Sequence, residues 1–320
     1  MPCLSTHSRK RWPKVQFDKV QFDKIVIFGV GLIGGSFARA LRHKGVAATI
    51  VGVGRSKQSM ARALELGIVD IATDSVETAM KGADLVLIAT PVAQTGPILS
   101  ALLPYLEPGT IVTDAGSTKC DVVAAARAVL KERVGQFVPG HPIAGRETNG
   151  PDAAIIDLYI GKKAVLTPLP ENAPHVVARV AAAWQACGAI IHQLTPEQHD
   201  TVFASVSHLP HLLAYALVDD IAHKPHAELL FQYAASGFRD FTRIAGSSPE
   251  MWRDISLANQ SALLGELDAY MAQLGEIRAM LANGDGAALE AVYANARQAR
   301  HHWIKTIERA EAAAPIDSAE

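Results

Sequence analysis

The sequence predicts an α/β protein with a doubly wound parallel sheet in its N-terminal domain and an all-helical, dimerising C-terminal domain. Three observations lead to this prediction. Short β-branched apolar runs alternate with helical segments, a glycine-rich turn follows the first run, and only helical patterns recur after the last one. We therefore predict a disordered leader over residues 1–23, a sheet domain over 24–195, a helical domain over 196–312 and a tail over 313–320.

The predicted strands of the sheet domain are short, apolar and rich in β-branched residues, which is typical of a parallel sheet buried on both faces. They are KIVIFG, which begins at Lys24, then ATIVGVG, ADLVLIAT, IVTD, the segment 136–139, KKAVLTP and GAIIHQL. Helices are predicted over residues 34–43, 56–66, 120–132 and 174–187. This alternation indicates βαβ units.

The helical domain begins with a recognisable helix start. Thr195 is a favourable cap residue, Pro196 suits the first helical position, and Gln198 is placed to complete a capping box. Farther on, apolar side chains recur close to every third or fourth residue and predict one long helix over 249–283. Because such a stripe needs a partner surface, we predict a homodimer.

The composition excludes several classes of protein. With 49% hydrophobic and 19% charged residues and a net charge of -2, the chain offers no general attraction to nucleic acid or to an anionic membrane. Its three cysteines are far apart, which argues against a disulfide framework and predicts a cytoplasmic protein. The leader repeats VQFDK and has no long apolar run, so we interpret it as a disordered extension.

A glycine motif follows the first predicted strand directly. It reads Gly29-Val-Gly31-Leu32-Ile33-Gly34 and leads into a helix. In this context the glycines permit a tight turn and let backbone amides approach a pyrophosphate. The sheet domain is therefore predicted to be a Rossmann-type dinucleotide-binding domain, and the alternative is a glycine turn without a ligand.

The residues after the second strand bear on which dinucleotide is bound. An NAD site usually has an acidic residue there, but this sequence has Gly54-Arg55-Ser56-Lys57. Arg55 beside a neutral Ser56 suits a 2′-phosphate, which favours NADP. The alternative is that Arg55 is a solvated surface residue and that NAD binds through other contacts. Thr90 and Pro91, at the end of the third predicted strand, are also predicted to contact the cofactor.

Two polar residues are expected at the carboxyl edge of the sheet, where ligands of such folds collect. Ser117 follows the strand IVTD, and His141 lies in GHPIAGRE, whose glycines and proline predict a loop. A loop imidazole that titrates near neutrality is suited to acid–base chemistry. The alternatives are a helix cap for Ser117 and a hydrogen-bonded structural imidazole for His141.

Five segments together resemble one known family. GVGLIGGS, GSTK, GHPIAG, SHLPH and GFRDFTRIAGSSPEMWRD look like the prephenate/arogenate (cyclohexadienyl) dehydrogenases of tyrosine biosynthesis, over about Lys24 to Lys305. The resemblance implies oxidative decarboxylation of prephenate to 4-hydroxyphenylpyruvate, of arogenate to tyrosine, or of both, with hydride transfer to NAD(P). The sequence does not distinguish the two substrates.

The resemblance also implies roles for individual residues. His141 would accept the substrate's hydroxyl proton with the help of Ser117, and Arg243 would bind a substrate carboxylate. Weaker matches to the family's substrate-binding residues are Arg239, Asp240, His199, His211, Trp252 and Glu147. His211 could also reach an inhibitory tyrosine. The alternatives are a surface helix pair for Arg239, an ordinary first-turn residue for His199 and a core aromatic for Trp252.

Two other functions compete with this one. A hydroxyacid or imino-acid dehydrogenase would offer a catalytic lysine in its helical domain, where the sequence has only Lys224 and Lys305. A non-catalytic NADP-binding sensor would bind the dinucleotide without turnover. His208 and His211 are three residues apart, but no further ligand accompanies them, so no metal is predicted.

Overall fold

The computed structural model describes residues 20–146 and 148–312 of the chain. Its main sheet has six parallel strands in the order β3-β2-β1-β4-β5-β6. The strands are β1 (Phe22–Phe28), β2 (Ala47–Val53), β3 (Ile71–Thr73), β4 (Leu85–Ile88), β5 (Ile111–Asp114) and β6 (Phe137–Val138). This strand order is that of the Rossmann fold, so the predicted fold class is confirmed.

Helices cover both faces of this sheet. They are α1 (Leu32–His43), α2 (Lys57–Glu65), α3 (Val76–Met80), α4 (Thr95–Leu102), α5 (Cys120–Leu130) and α6 (Pro174–Ala186). Alternate residues of β1 enter two different cores: Ile25 and Ile27 pack in one cluster with Trp184 of α6, whereas Val26 and Phe28 pack in the other. Each such buried side chain contributes about 1.5–3 kcal/mol, and together they fix the carboxyl edge on which the site is built.

The first strand begins earlier than predicted, at Phe22 rather than Lys24. Phe22 is fully buried, and the guanidinium of Arg179 lies 5.0 Å from the centre of its ring. The second VQFDK copy therefore contributes to the sheet, because its aromatic residue fills a place in the core. Residues 1–19, with the first copy of the repeat, and the predicted tail over 313–320 lie outside the described residues.

A second, three-stranded sheet lies beside the first. It has the order β7-β8-β9, with β7 (Gly140–Pro142) antiparallel to β8 (Lys163–Leu166) and β8 parallel to β9 (Ile190–Gln193). The prediction of a loop at His141 is therefore wrong over residues 140–142. A proline fits here because β7 is an edge strand, where a missing N–H group can be tolerated.

The C-terminal domain is helical throughout its described elements. These are α7 (Pro196–Phe203), α8 (Leu209–Ala222), α9 (Ala227–Gln232), α10 (Ser236–Thr242), α11 (Pro249–Ala258), α12 (Gln260–Ala282) and α13 (Gly286–Ala312). The capping box at Thr195 and Gln198 is present, as predicted. A π-helical turn over Ala204–His208 joins α7 to α8.

The single long helix predicted over 249–283 is wrong, because Asn259 separates α11 from α12. The side-chain amide of Asn259 donates to the carbonyl oxygen of Asp200 at 2.8 Å and lies 3.0 Å from Nδ1 of His208. These buried partners hold Asn259 in a non-helical conformation, with φ -106° and ψ 31°. The break therefore results from contacts with α7 and the π-helical turn.

One continuous helical stretch in the described part of the chain, Pro196–Ala222, is long and apolar enough to cross a membrane by length and composition. Core helices of soluble proteins satisfy the same criterion. This stretch carries His199, Asp200, His208 and His211, whose polar contacts are described below. We therefore interpret it as part of the candidate site.

Candidate active site

The three motif glycines have different surroundings. Gly29 has φ +92°, and a Cβ added there would lie 2.6 Å from the carbonyl oxygen of Ala89. A Cβ at Gly34 would collide with the carbonyl oxygen of Gly29, whereas one at Gly31 would meet no described atom within 4 Å. Gly29 and Gly34 thus serve the turn and its packing, while Gly31 leaves open space at the start of α1.

This open space suits a dinucleotide's pyrophosphate. Gly31 caps α1 without a side-chain hydrogen bond, and the first turn, which includes Leu32 and Ile33, has no acidic residue. Its backbone amides and the positive end of the helix dipole favour an anion. Thr90, which precedes Pro91, borders the turn, and its Oγ1 is buried without a partner among the described residues. The residues present therefore fit the predicted cofactor.

The residues that follow β2 are exposed. Arg55 extends from the loop, and the hydroxyl of Ser56 caps α2 by accepting from the amide of Ser59 at 3.2 Å. The loop over residues 54–57 contains no carboxylate that would repel a 2′-phosphate. The cap accounts for Ser56 structurally, and its hydroxyl hydrogen stays available to a ligand.

A chain of hydrogen bonds ends at His141. Nδ1 of His141 lies 2.9 Å from Nε2 of His199, whose Nδ1 lies 2.8 Å from Oδ1 of Asp200. Because a carboxylate only accepts, Nδ1 of His199 carries a proton and its Nε2 accepts from Nδ1 of His141. This network assigns the lone pair of neutral His141 to Nε2, the nitrogen that a base needs.

Asp200 also connects this chain to the sheet domain. Its carboxylate accepts from the backbone amides of Lys119 and Cys120, each at 2.8 Å. Lys119 is the N-cap residue of α5, and its side chain makes no capping hydrogen bond, so the carboxylate of Asp200 on α7 satisfies the amides at this helix start. The alternative role of Ser117 as the cap of α5 is therefore wrong. Ser117 lies half-buried in the loop after β5.

The surroundings of the two imidazoles keep them neutral. The pKa of His141 is well below its ordinary 6.5, first because of burial and then because of His199, Lys119 and His208. Burial also lowers the pKa of His199, against the opposing effect of its bond to Asp200. Phe203 packs on both rings, with centroid distances of 4.8 Å to His141 and 4.4 Å to His199. Neutral imidazoles are the form required of a base and of its hydrogen-bond partner.

Two further histidines border this centre. Burial lowers the pKa of His208 to about 4, and the charge of Asp200 acts in the opposite direction. His211 donates from Nδ1 to the carbonyl oxygen of Ser207 at 2.8 Å. Its ring stacks on that of Trp252, with 3.6 Å between the ring centroids. Among the described residues no group of His, Cys, Asp and Glu is arranged to hold a metal ion.

Of the predicted carboxylate-binding residues, Arg243 acts on a histidine of the site, whereas two others are exposed on α10. Arg243 follows α10, and its charge lowers the pKa of His211, where burial has the largest effect. Arg239 and Asp240 lie exposed on α10. Glu147 lies outside the described residues. Four further residues of the site are not predicted by the sequence, although one of them directly follows a predicted site histidine: Asp200, Phe203, Lys119 and Asn259.

Comparison with known proteins identifies the family. The nucleotide-binding domain of prephenate dehydrogenase matches residues 37–193, and the dimerization domain of prephenate dehydrogenase matches residues 195–295. The chain belongs to the prephenate dehydrogenase family. This membership makes it an oxidoreductase and decides against the hydroxyacid and imino-acid alternatives.

Individual members of the prephenate dehydrogenase family are similar over most of the chain. A cyclohexadienyl dehydrogenase of Zymomonas mobilis is 38% identical over 280 residues, which are 86% of this chain and 94% of that protein. A crystal structure of prephenate dehydrogenase from A. aeolicus with hydroxyphenyl propionate and NAD+ has a TM-score of 0.79 and 36% identity, covering 89% of this chain and 98% of that one. The Synechocystis arogenate dehydrogenase structure has a TM-score of 0.74 and 31% identity, covering 88% and 99%.

Proposed function

We propose that this protein catalyses the oxidative decarboxylation of prephenate, of arogenate or of both, as a step of tyrosine biosynthesis. The observation that carries the proposal is the hydrogen-bond chain from Asp200 through His199 to His141. Because of this chain, the neutral imidazole of His141, on strand β7, has its lone pair on Nε2. The family relatives named cyclohexadienyl, prephenate and arogenate dehydrogenase support the substrate class.

In the proposed mechanism, Nε2 of His141 accepts the hydroxyl proton of the substrate ring. Loss of hydride from the carbon that bears this hydroxyl would otherwise build positive charge there, so drawing off the proton lowers the barrier. The electrons of the bond to the departing carboxylate enter the ring as carbon dioxide leaves, the ring becomes aromatic, and its phenolate oxygen takes the proton back from His141. Bound NAD(P) supplies the hydride acceptor. When His141 becomes charged, Asp200 stabilises that charge through His199.

Other residues position the substrate in this proposal. Ser117 donates to the substrate hydroxyl or to the imidazole, and Arg243 binds a carboxylate in a charge-assisted contact. His211 and Trp252 form a wall beside it, where His211 reaches the substrate or an inhibitory tyrosine. We further propose that Arg239, Asp240 and Glu147 contribute to carboxylate recognition around this wall.

The cofactor part of the proposal favours NADP over NAD. Arg55 is exposed after β2, and no carboxylate occupies the loop over residues 54–57. A guanidinium there attracts a 2′-phosphate. We expect Arg55→Ala to raise the KM for NADP by about tenfold or more and the KM for NAD by little, because a charge-assisted hydrogen bond contributes about 1.5–3 kcal/mol. A preference of the unaltered protein for NAD would refute the assignment.

The proposal includes a homodimer in the cytoplasm, without a nucleic-acid or membrane partner. Its helical domain, proposed to extend over 196–312, matches a dimerization domain and exposes apolar side chains along α12 and α13. The dinucleotide-binding domain is proposed over 24–195. Cys120 and Cys187 are free thiols, which suits a reducing compartment.

One assay tests the proposed reaction and its main alternative. Purified protein is incubated with prephenate or arogenate, each with NAD and with NADP, and formation of reduced nicotinamide and of carbon dioxide is followed. We expect equal amounts of both products with at least one of the two substrates. Binding of a dinucleotide without turnover of either substrate would instead support a non-catalytic sensor.

A further inference from the structure

A fully buried ion pair lies beneath the candidate site. Nζ of Lys119 is 2.6 Å from Oδ2 of Asp114, and the two side chains are 0% and 1% exposed. Burying two charges carries a desolvation penalty that their attraction only partly offsets, so such a pair is weak evidence for stability alone. The surroundings of the pair show what else it does.

Asp114 joins the two segments that carry Ser117 and His141. Its Oδ2 accepts from the amide of Gly116 at 2.8 Å, and its Oδ1 accepts from the amide of Gly140 at 3.0 Å. Gly116 directly precedes Ser117, and Gly140 directly precedes His141. The carboxylate therefore fixes the spacing between the loop after β5 and strand β7, and the ammonium of Lys119 holds the carboxylate in place.

Lys119 is connected to the histidine chain by a second atom. Its backbone amide donates to Oδ1 of Asp200, the atom that also lies 2.8 Å from Nδ1 of His199. Lys119 thus binds one carboxylate with its side chain and another with its backbone. One carboxylate, that of Asp114, bonds to the residue before the proposed base His141, and the other, that of Asp200, bonds to its partner His199.

The charge of Lys119 acts on the same imidazoles. The groups that face His141 are Lys119, His199 and His208, and each of them lowers its pKa. His199 is faced by Lys119, whose charge lowers its pKa, and by Asp200 and Asp114, which raise it. Lys119 therefore opposes protonation of both rings.

We propose that Lys119 is a positioning residue which, through its ion pair with Asp114, holds the His141 strand in place and keeps its imidazole in the neutral form. The inference rests on the proposed function insofar as His141 is the base. It assigns the buried ammonium a role in the reaction without contact with the substrate. Lys119 acts on His141 by its charge and by the carboxylates that it binds.

The test is the pH dependence of kcat/KM in the variant Lys119→Met, which keeps the length of the side chain and removes its charge. Removal of a nearby positive charge raises the pKa of His141. The acid limb of the profile, where kcat/KM falls as the pH decreases, should therefore move to higher pH by about one unit. At pH values above the limb, the KM for the substrate should change by less than about twofold, because Lys119 does not touch the substrate.

A matched control distinguishes the effect of removing the Lys119 charge from the loss of a buried hydrogen bond. The hydroxyl of Thr113, the neighbour of Asp114, is fully buried and donates to the carbonyl oxygen of Val138 at 2.7 Å. Thr113→Val removes a buried hydrogen bond from the same strand without changing a charge. We expect it to lower the thermal midpoint while leaving the acid limb where it is in the unaltered protein.

The double variant Asp114→Asn/Lys119→Met keeps the inference testable if the single variant does not fold, because it leaves no unpaired charge. Its acid limb should also move upward, by less than that of a folded single variant. Histidine NMR titration of the unliganded protein, with His141 assigned by His141→Asn, gives a readout that does not require turnover. An unmoved His141 titration in the variant would overturn the inference, whereas absence of turnover in the unaltered protein would refute only the proposed function.

Discussion

At His141, two successive hydrogen bonds decide which ring nitrogen is free to act. The Asp200 carboxylate places a proton on Nδ1 of His199, and His199 in turn places a proton on Nδ1 of His141. The orientation of the proposed base is therefore set by α7, an element of the other domain. None of this follows from the sequence around His141, because the partner imidazole is 58 positions away.

The pKa shifts of these two imidazoles predict the pH dependence of the reaction. The pKa of His141 is lowered from 6.5, chiefly by burial, and that of His199 is lowered as well. Since a base must be neutral and a lowered pKa extends the neutral form to lower pH, the acid limb of kcat/KM should lie below pH 6.5. The limb belongs to the coupled pair rather than to one ring. A limb above pH 6.5 in a pH–rate profile would contradict a lowered pKa of His141 as the proposed base.

At the scale of elements, the turn between β1 and α1 was predictable because its determinants are local. The strand, the glycines and the start of the helix are contiguous, and the capping box at Thr195 spans only four residues. The strand at His141 and the break at Asn259 were not predictable. The first depends on pairing with β8 and the second on a bond from Asn259 to Asp200, 59 positions away.

The motif glycines give a paired prediction at this scale. Gly31→Ala should fold normally, because the added Cβ meets no described atom within 4 Å, but should weaken dinucleotide binding by tenfold or more, about 1.4 kcal/mol, since it fills the space for the pyrophosphate. Gly34→Ala should lower the thermal midpoint, because its Cβ collides with the carbonyl oxygen of Gly29. Calorimetry measures the thermal midpoint of each variant, and a binding titration measures its dinucleotide affinity. Unchanged dinucleotide affinity in Gly31→Ala would place the pyrophosphate elsewhere.

For the whole molecule, the doubly wound parallel sheet and the succession of domain types followed from the sequence, since periodicity and connection rules act along the entire chain. The contacts between the two domains could not be predicted from the sequence. Lys119 and Asp200 are 81 positions apart, and only the folded chain brings the amide of one to the carboxylate of the other. The candidate site depends on such contacts, so resemblance to a family was needed to nominate most of its residues.

The exposed apolar side chains of α12 predict the state of assembly. The unaltered protein should have twice the mass of the chain in sedimentation equilibrium, and the double variant Met271→Glu/Leu274→Glu should shift it to monomer by burying charges at the interface. Leu64→Glu on α2 is the matched control, because Leu64 is 43% and Leu274 44% exposed. A monomeric unaltered protein would remove the homodimer from the proposal.

The most direct measurement compares the unaltered protein with His141→Asn, using whichever substrate and dinucleotide pair the unaltered protein turns over. Because the amide cannot accept the hydroxyl proton as a base, kcat should fall about 100- to 10,000-fold, while dinucleotide affinity and thermal midpoint stay within the range of the unaltered protein. Near-normal kcat in His141→Asn would contradict the assignment of His141 as the base.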